Sequence, residues 1–179
     1  RDDVCFQNLN VKIIGMGSGL SWSSLGPTHH TTEDISVLRA IPNLMILSPT
    51  TPRQVAACVQ TAYEHDGPVY IKIGMNHEKE YFEDGYVHDV KKSDCLRDGK
   101  NIAVFVTGSI LDEAMKACEM LEQNGISVKL INVTTIKPFN ENEVLDIVKK
   151  IKKIAVIEEH NIYGGLASII SETIVYNGL

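Results

Sequence analysis

The chain has 179 residues, of which 44% are hydrophobic and 22% charged, so it can bury a substantial core as one large or two small domains. Its net charge of −6 gives no basic surface for a phosphate backbone, and no apolar run approaches the roughly 18 residues of a membrane span. These properties argue against nucleic-acid and membrane partners and indicate a soluble globular protein.

The first half of the chain alternates strands with helices. Residues 11–14 are β-branched and predict a strand, and the glycine-rich residues 15–19 predict a loop after it. Residues 33–40 carry apolar side chains at helical spacing, and Pro42 ends that helix.

The alternation continues to residue 73. Residues 44–47 form an apolar run that predicts a strand buried on both faces. Thr51 is the expected N-cap of the next helix, Pro52 its first residue, and residues 68–73 the strand that follows. Strands and helices in this order are typical of a parallel α/β sheet.

A polar and charged stretch then interrupts the pattern. We predict a linker over residues 77–97, with a candidate hairpin at Asp84-Gly85. A second alternation follows, and its predicted elements are a strand at 102–106, a helix from 111, a strand at 128–133, a turn at Lys137-Pro138, a helix around 144–151, a strand at 154–157 and a last helix after Gly165.

The four cysteines, Cys5, Cys58, Cys95 and Cys118, lie far apart and offer no metal-ligand spacing. Because Cys58 and Cys118 fall on apolar faces of predicted helices, we interpret all four as reduced thiols and predict a cytoplasmic protein with no metal site. The chain begins with arginine and shows no signal-like segment, so we expect it to be a piece of a longer protein.

The first candidate for chemistry is Gly-Pro-Thr-His-His at residues 26–30. The Gly-Pro dipeptide bends the backbone, and Thr32 with two acidic residues is expected to cap the following helix, so His29 and His30 lie on a loop. Imidazole exchanges protons near neutral pH, and we therefore predict a catalytic role for both histidines. The alternative, that they only hydrogen-bond the turn, stays open.

A second polar group follows the later strands. Ser109, Glu159 and His160 lie where open α/β sheets usually bind ligands. Gly164 and Gly165 would expose N–H groups at a helix start, where a small anion can bind. The alternative is that this segment caps the sheet and docks onto a neighbouring chain.

Several motifs together resemble the C-terminal half of the transketolase family of thiamine-diphosphate enzymes. They are Gly-Pro-Thr-His at 26–29, Leu-Arg-Ala-Ile-Pro-Asn at 38–43, Ser-Pro at 48–49, Thr-Gly-Ser at 107–109 and Glu-Glu-His-Asn-Ile-Tyr-Gly-Gly-Leu at 158–166. The resemblance covers essentially the whole chain. It implies two small, mostly parallel α/β domains: a pyrimidine-binding domain over 1–76, incomplete at its N-terminus, and a transketolase C-terminal domain over 98–179.

The resemblance also implies a function. The parent enzyme would use thiamine diphosphate and Mg²⁺ to transfer a two-carbon ketol unit between ketose and aldose substrates. His29 would handle a proton or orient the substrate carbonyl, with His30 beside it. The family's cofactor-binding residues precede this chain, so we expect the fragment alone to bind no cofactor, to be inactive, and to work as a homodimer or with a partner N-terminal subunit.

Three positions depart from the family pattern. Leu25 replaces an acidic residue that reads a substrate hydroxyl, and Gly17 and Gly74 stand about where the family has histidine and arginine. Lys72 and His77 are nearby cations that we expect to contact substrate instead, although Lys72 alternates along a strand and could be a solvated edge residue. A phosphorylated pentose is therefore not specified, and a modified ketose remains open.

Three other interpretations remain. Deoxyxylulose-phosphate synthase and the 2-oxo-acid dehydrogenase β-subunit share this layout, and residues 48–52 resemble the latter. A non-catalytic binding or assembly module is a second possibility, and a flavodoxin-like ligand binder built on the terminal domain is a third.

Overall fold

Two four-stranded sheets organise the computed structural model, which describes residues 1–75 and 77–179. The strands are β1 (Lys12–Met16), β2 (Met45–Leu47), β3 (Val69–Ile73), β4 (Asp94–Arg97), β5 (Ile102–Val106), β6 (Val128–Asn132), β7 (Thr135–Lys137) and β8 (Ile154–Ile157). The helices are α1 (Asp34–Arg39), α2 (Pro52–Glu64), α3 (Leu111–Gln123), α4 (Glu141–Lys150) and α5 (Leu166–Tyr176). Asn76, where the first predicted domain ends, lies outside the described residues.

The first sheet has the strand order β1-β3-β2-β7. Strand β3 is central and pairs in parallel with β1 and β2, whereas β7 adds to β2 in the antiparallel sense. Ile46 and Leu47 are fully buried, which confirms the prediction of a strand buried on both faces. Thr51 accepts a hydrogen bond from the Gln54 N–H and caps α2, as its sequence context predicts.

The second sheet has the order β4-β6-β5-β8. Strand β5 lies between β6 and β8 and is parallel to both, while β4 pairs antiparallel with β6. Phe105 and Val106 on β5 are fully buried between the flanking helices. The predicted mostly parallel α/β class is thus confirmed in both sheets.

The predicted linker differs from the structure in two ways. In the described part of the linker, no strands flank the Asp84-Gly85 turn, so the hairpin is wrong; instead the Tyr86 hydroxyl donates to Asp94 at 3.0 Å. The charged residues at 94–97 form strand β4, because pairing with β6 satisfies their backbone groups. The short strand β7 stands directly before the predicted Lys137-Pro138 turn and was also not predicted.

Polar and apolar contacts join the two sheets. The apolar core combines Ile35 and Ile46 from the first half with Phe105 and Leu166 from the second. The fully buried Gln54 side chain on α2 also bridges the halves, since it accepts from the Asn132 amide at 3.1 Å and donates to Asp94 at 2.7 Å.

The described cysteines are free thiols, as predicted. Burial, together with the nearby Asp94 carboxylate, raises the pKa of Cys58 to about 12, so this thiol stays protonated and inert. Among the helices that the structure describes, none has the length and apolar character needed to cross a membrane.

Candidate functional site

The carboxyl ends of strands from both sheets meet at one place. Ser18 follows β1, Ser48 follows β2, and Thr107 and Glu158 follow β5 and β8; together with Lys72 near the end of β3, these residues line a single cavity. Ligands of open α/β sheets bind at this end of the strands. The loop that carries the two histidines lies beside it, and we call residues 26–32 the histidine loop.

A single 3₁₀ turn, Pro27–His29, presents the first histidine. Gly26 enters the turn with φ of 83°, a conformation that favours glycine, and Pro27 fixes the first residue. The His29 side chain is exposed, and its Nδ1 lies 3.1 Å from the Thr28 hydroxyl. This contact uses Nδ1 of the imidazole and not Nε2.

An aromatic neighbour that sequence reasoning missed supports His29. The Trp22 ring contacts the imidazole edge-on, with ring centroids 6.2 Å apart and planes at 73°. The signal in the sequence was that the chain's single tryptophan stands just before the Gly-Pro turn. His30 is half-buried and its Nε2 lies 3.4 Å from the Ser23 carbonyl, so this histidine contacts the turn itself.

Lys72 on β3 anchors the histidine loop to the first sheet. Its side chain is only 3% exposed, and its Nζ donates to Asp34 Oδ1 at 2.7 Å and to the Thr31 carbonyl at 3.1 Å. The Tyr70 hydroxyl donates to the other Asp34 oxygen at 2.8 Å, and burial beside that carboxylate raises the pKa of Tyr70. The interpretation of Lys72 as a solvated edge residue is wrong, because β3 is central. The ammonium is paired with Asp34, and its contact with substrate stays a prediction.

The end of β8 holds the same loop from the other side. Asn161 N–H donates to the Thr32 carbonyl at 2.9 Å, and Ser36 N–H donates to His160 Nε2 at 3.3 Å. His160 Nδ1 lies 2.8 Å from the Asn161 carbonyl and must therefore carry the proton, which assigns a neutral tautomer. His160 is thus a structural contact between the two halves.

Glu158 occupies the position where an anion was expected. Its carboxylate accepts from the N–H groups of Leu166 and Ala167, at 2.7 and 2.9 Å, and so fills the N-terminus of α5. Glycine is required at positions 164 and 165 by close packing, because a Cβ at Gly164 would overlap Ser36 and a Cβ at Gly165 would overlap Glu158. The chain's own carboxylate thus takes N–H groups at this helix start, and the binding of an external anion stays a prediction.

Glu159 and Ser109 connect the second sheet to the loop after β1. Glu159 accepts from the Leu20 N–H at 3.2 Å and from the Ser109 hydroxyl. The alternative considered for this segment was docking onto a neighbouring chain, which stays a prediction. The remaining site residue, His77, lies exposed on the loop after β3 and outside the cavity.

This arrangement defines an α/β protein with two mostly parallel sheets, and the histidine loop lies beside the carboxyl ends of their strands. A solved structure described as a split gene transketolase, an inactive beta4 tetramer, has the same architecture, with a TM-score of 0.91, 27% sequence identity, and coverage of 100% of this chain and 58% of that chain.

Family models agree with this architecture. The transketolase pyrimidine binding domain matches residues 1–76, and the transketolase C-terminal domain matches residues 91–179. The chain therefore belongs to the transketolase family, as the sequence resemblance implied.

Two curated relatives show the breadth of the family. The chain is 36% identical over 176 residues to a subunit of the apulose-4-phosphate transketolase of Actinobacillus succinogenes, covering 98% of this chain and 57% of the relative. It is also 36% identical over 179 residues to the 1-deoxy-D-xylulose-5-phosphate synthase of Halothermothrix orenii, covering 99% of this chain and 28% of that protein. The chain thus spans about half the length of the apulose-4-phosphate transketolase chain it matches.

Proposed function

We propose that this chain supplies the histidine loop of a thiamine-diphosphate transketolase that transfers a two-carbon ketol unit from a ketose to an aldose. The observation that carries the proposal is the exposed His29, held on a loop that Lys72 fixes from one side and Asn161 from the other. Fixed loops at the carboxyl ends of parallel strands are suited to position a proton-transfer group.

His29 is the proposed proton-transfer group. Its Nε2 would donate a proton to the substrate carbonyl oxygen as negative charge develops there, and would take the proton back when the carbon–carbon bond breaks. Trp22 holds the imidazole edge and Thr28 holds Nδ1, so Nε2 stays directed outwards. His30, which contacts the turn, is proposed as the second substrate-facing histidine.

The cofactor site is proposed to lie outside this chain. Thiamine diphosphate, when bound, supplies the ylid that stabilises a carbanion. Magnesium with a diphosphate needs several oxygen ligands, and no group of three or more His, Cys, Asp or Glu residues in the described part of the chain is placed to hold a metal. The residues present therefore do not fit this group, and we assign the cofactor and its Mg²⁺ to other sequence or another subunit.

A partner chain or a second copy is proposed to complete the enzyme. One similar protein is named as one subunit of a transketolase and another as the product of a split gene, which supports a separate N-terminal subunit here. The second is also described as an inactive beta4 tetramer, which supports an inactive fragment that self-associates. Edge strand β1 exposes Ile13, Ile14 and Met16, which is an apolar surface that a partner can cover. We further propose a cytoplasmic location.

The proposed substrate is a ketose, with no phosphate group assigned. Leu25, Gly17 and Gly74 offer no charge to a phosphate, and Lys72 is committed to Asp34. The exposed His77 is the remaining candidate for contact with the distal end of the sugar. The 36% identity to a deoxyxylulose-phosphate synthase supports that enzyme as the second candidate function.

The test combines binding with activity. This chain is titrated calorimetrically with thiamine diphosphate and Mg²⁺, alone and with the separately expressed N-terminal part of its parent. We expect heat and ketol transfer only from the mixture. A 1-deoxy sugar phosphate as the product would instead support the synthase, and a mixture that binds nothing would support a non-catalytic module.

A histidine variant tests the assigned role. In the active mixture, His29→Ala should lower turnover by about 10²-fold to 10⁴-fold and leave cofactor affinity unchanged. His65→Ala, at the end of α2, is the matched control and should keep full turnover. Unchanged turnover in His29→Ala would contradict the assignment.

A further inference from the structure

Three residues with buried hydroxyl groups line one small cavity between the two sheets. Ser18, Ser48 and Thr107 are 2%, 1% and 3% exposed, and their hydroxyl oxygens have no hydrogen-bond partner within the described residues. All three line a cavity of about 10 Å³. They follow β1, β2 and β5, so the first sheet supplies two of the groups and the second sheet supplies the third.

Gly108 keeps this space open. A Cβ at this position would lie 3.4 Å from Ser48 Oγ and 3.7 Å from Ser18 Oγ, and among the described residues no other atom outside its chain neighbours lies within 4 Å. The space beside the glycine is therefore bounded by hydroxyl oxygens. Two observations, the hydroxyl groups without partners and the space beside Gly108, thus indicate the same position in the cavity.

The size and polarity of the cavity match one water molecule. A volume of about 10 to 15 Å³ accommodates a single water, and buried waters commonly make about three hydrogen bonds to groups that lack other partners. A water molecule has two donors and two acceptor positions, and each hydroxyl is both a donor and an acceptor. We propose that this cavity binds one internal water molecule that bridges Ser18, Ser48 and Thr107 and so joins the two sheets.

The surrounding charges favour a neutral ligand over an ion. The Lys72 ammonium lines the cavity and opposes a metal cation. The carboxylates of Glu158 and Glu159 line it as well and oppose an anion, and both are already hydrogen-bonded to N–H groups of the chain. His160, the remaining titratable group at the cavity, is the neutral tautomer described above. A water molecule is neutral and therefore adds no unpaired charge to the cavity.

The proposed site lies next to the anchor of the histidine loop but does not depend on the proposed enzymatic activity. Its occupant would connect the end of β2, the end of β5 and the loop after β1. The proposal can therefore be tested on the isolated chain without a cofactor or substrate.

A high-resolution crystal structure gives the first test. We expect a density peak beside Gly108 at about 2.7 to 3.0 Å from the three hydroxyl oxygens. A peak at about 2.0 to 2.5 Å would show a metal ion, and no peak would show a dry cavity; either result would overturn the proposal.

Deletion of the hydroxyl groups gives the second test, because the sign of the change in the folding equilibrium constant distinguishes a bound water from a dry cavity. With a bridging water, Ser48→Ala and Thr107→Val should each lower the folding equilibrium constant by about 5-fold. The factor by which the double variant lowers this constant should be at least about 2-fold smaller than the product of the two single factors. Without a bound water, deletion of an unpaired buried hydroxyl should leave the constant unchanged or raise it. Thr173→Val, at a buried threonine on α5, is the control and should combine with Thr107→Val without coupling.

Discussion

The Lys72→Met substitution removes the charge beneath the histidine loop while it keeps most of the side-chain volume. The lysine and Asp34 side chains are 3% and 11% exposed, so the substitution leaves a nearly buried carboxylate whose remaining side-chain partner is the Tyr70 hydroxyl. Removal of one partner of a buried ion pair costs about 3 to 5 kcal/mol. The Thr31 carbonyl also loses its donor. We therefore expect a loss of about 3 kcal/mol or more in the free energy of unfolding.

Urea denaturation measures this loss, with fluorescence of Trp22 as a probe close to the histidine loop. The double variant Lys72→Met/Asp34→Asn should be more stable than the sum of the single effects predicts, because it removes the unpaired charge. Lys129→Met is the matched control, since its partner Asp98 is exposed, and its effect should be much smaller. A loss below about 1 kcal/mol for Lys72→Met, or additive effects in the double variant, would refute the buried-pair reasoning.

Three other variants test separate parts of the site. Glu158→Gln should cost about 1 kcal/mol in unfolding free energy, because α5 loses the negative charge at its N-terminus, and chemical denaturation measures this. Burial lowers the pKa of His88 below its ordinary 6.5, so just below that pH the unfolded chain binds more protons than the folded chain. The free energy of unfolding should therefore fall as the pH drops through 6.5 towards the folded pKa, by at most about 1.4 kcal/mol per pH unit. His88→Gln should flatten this pH profile. Gly19→Ala should lower the melting temperature far more than Gly26→Ala. Both glycines have positive φ, but only at Gly19 would a Cβ overlap Glu159. Equal shifts in melting temperature would contradict the packing argument.

Local patterns in the sequence were sufficient for much of the fold. The run at residues 44–47, the Thr51 cap and the Gly-Pro-Thr-His turn depend on neighbours within a few residues, and the structure has each as predicted. Strands β4 and β7 were missed because they are short, polar at one end, and stabilised by pairing with strands far away in the sequence.

The anchors of the site depend on strand order, which the sequence does not display. Lys72 alternates with apolar residues in the way an edge strand does, and only the position of β3 between β1 and β2 buries it against Asp34. The role of Glu158 likewise depends on packing, because the return of α5 onto the end of β8 makes this carboxylate the cap of that helix.

Strand β7 carries a consequence for how the chain can be divided. It comes after β4, β5 and β6 in the sequence, yet it completes the sheet of the earlier segment by pairing with β2. A cut in the stretch around residue 90 would leave β2 with an open edge and leave β7 with no sheet to join. The two regions matched by separate family models therefore share one sheet. Any break in the chain that preserves this sheet must fall before Lys12 or after Lys137.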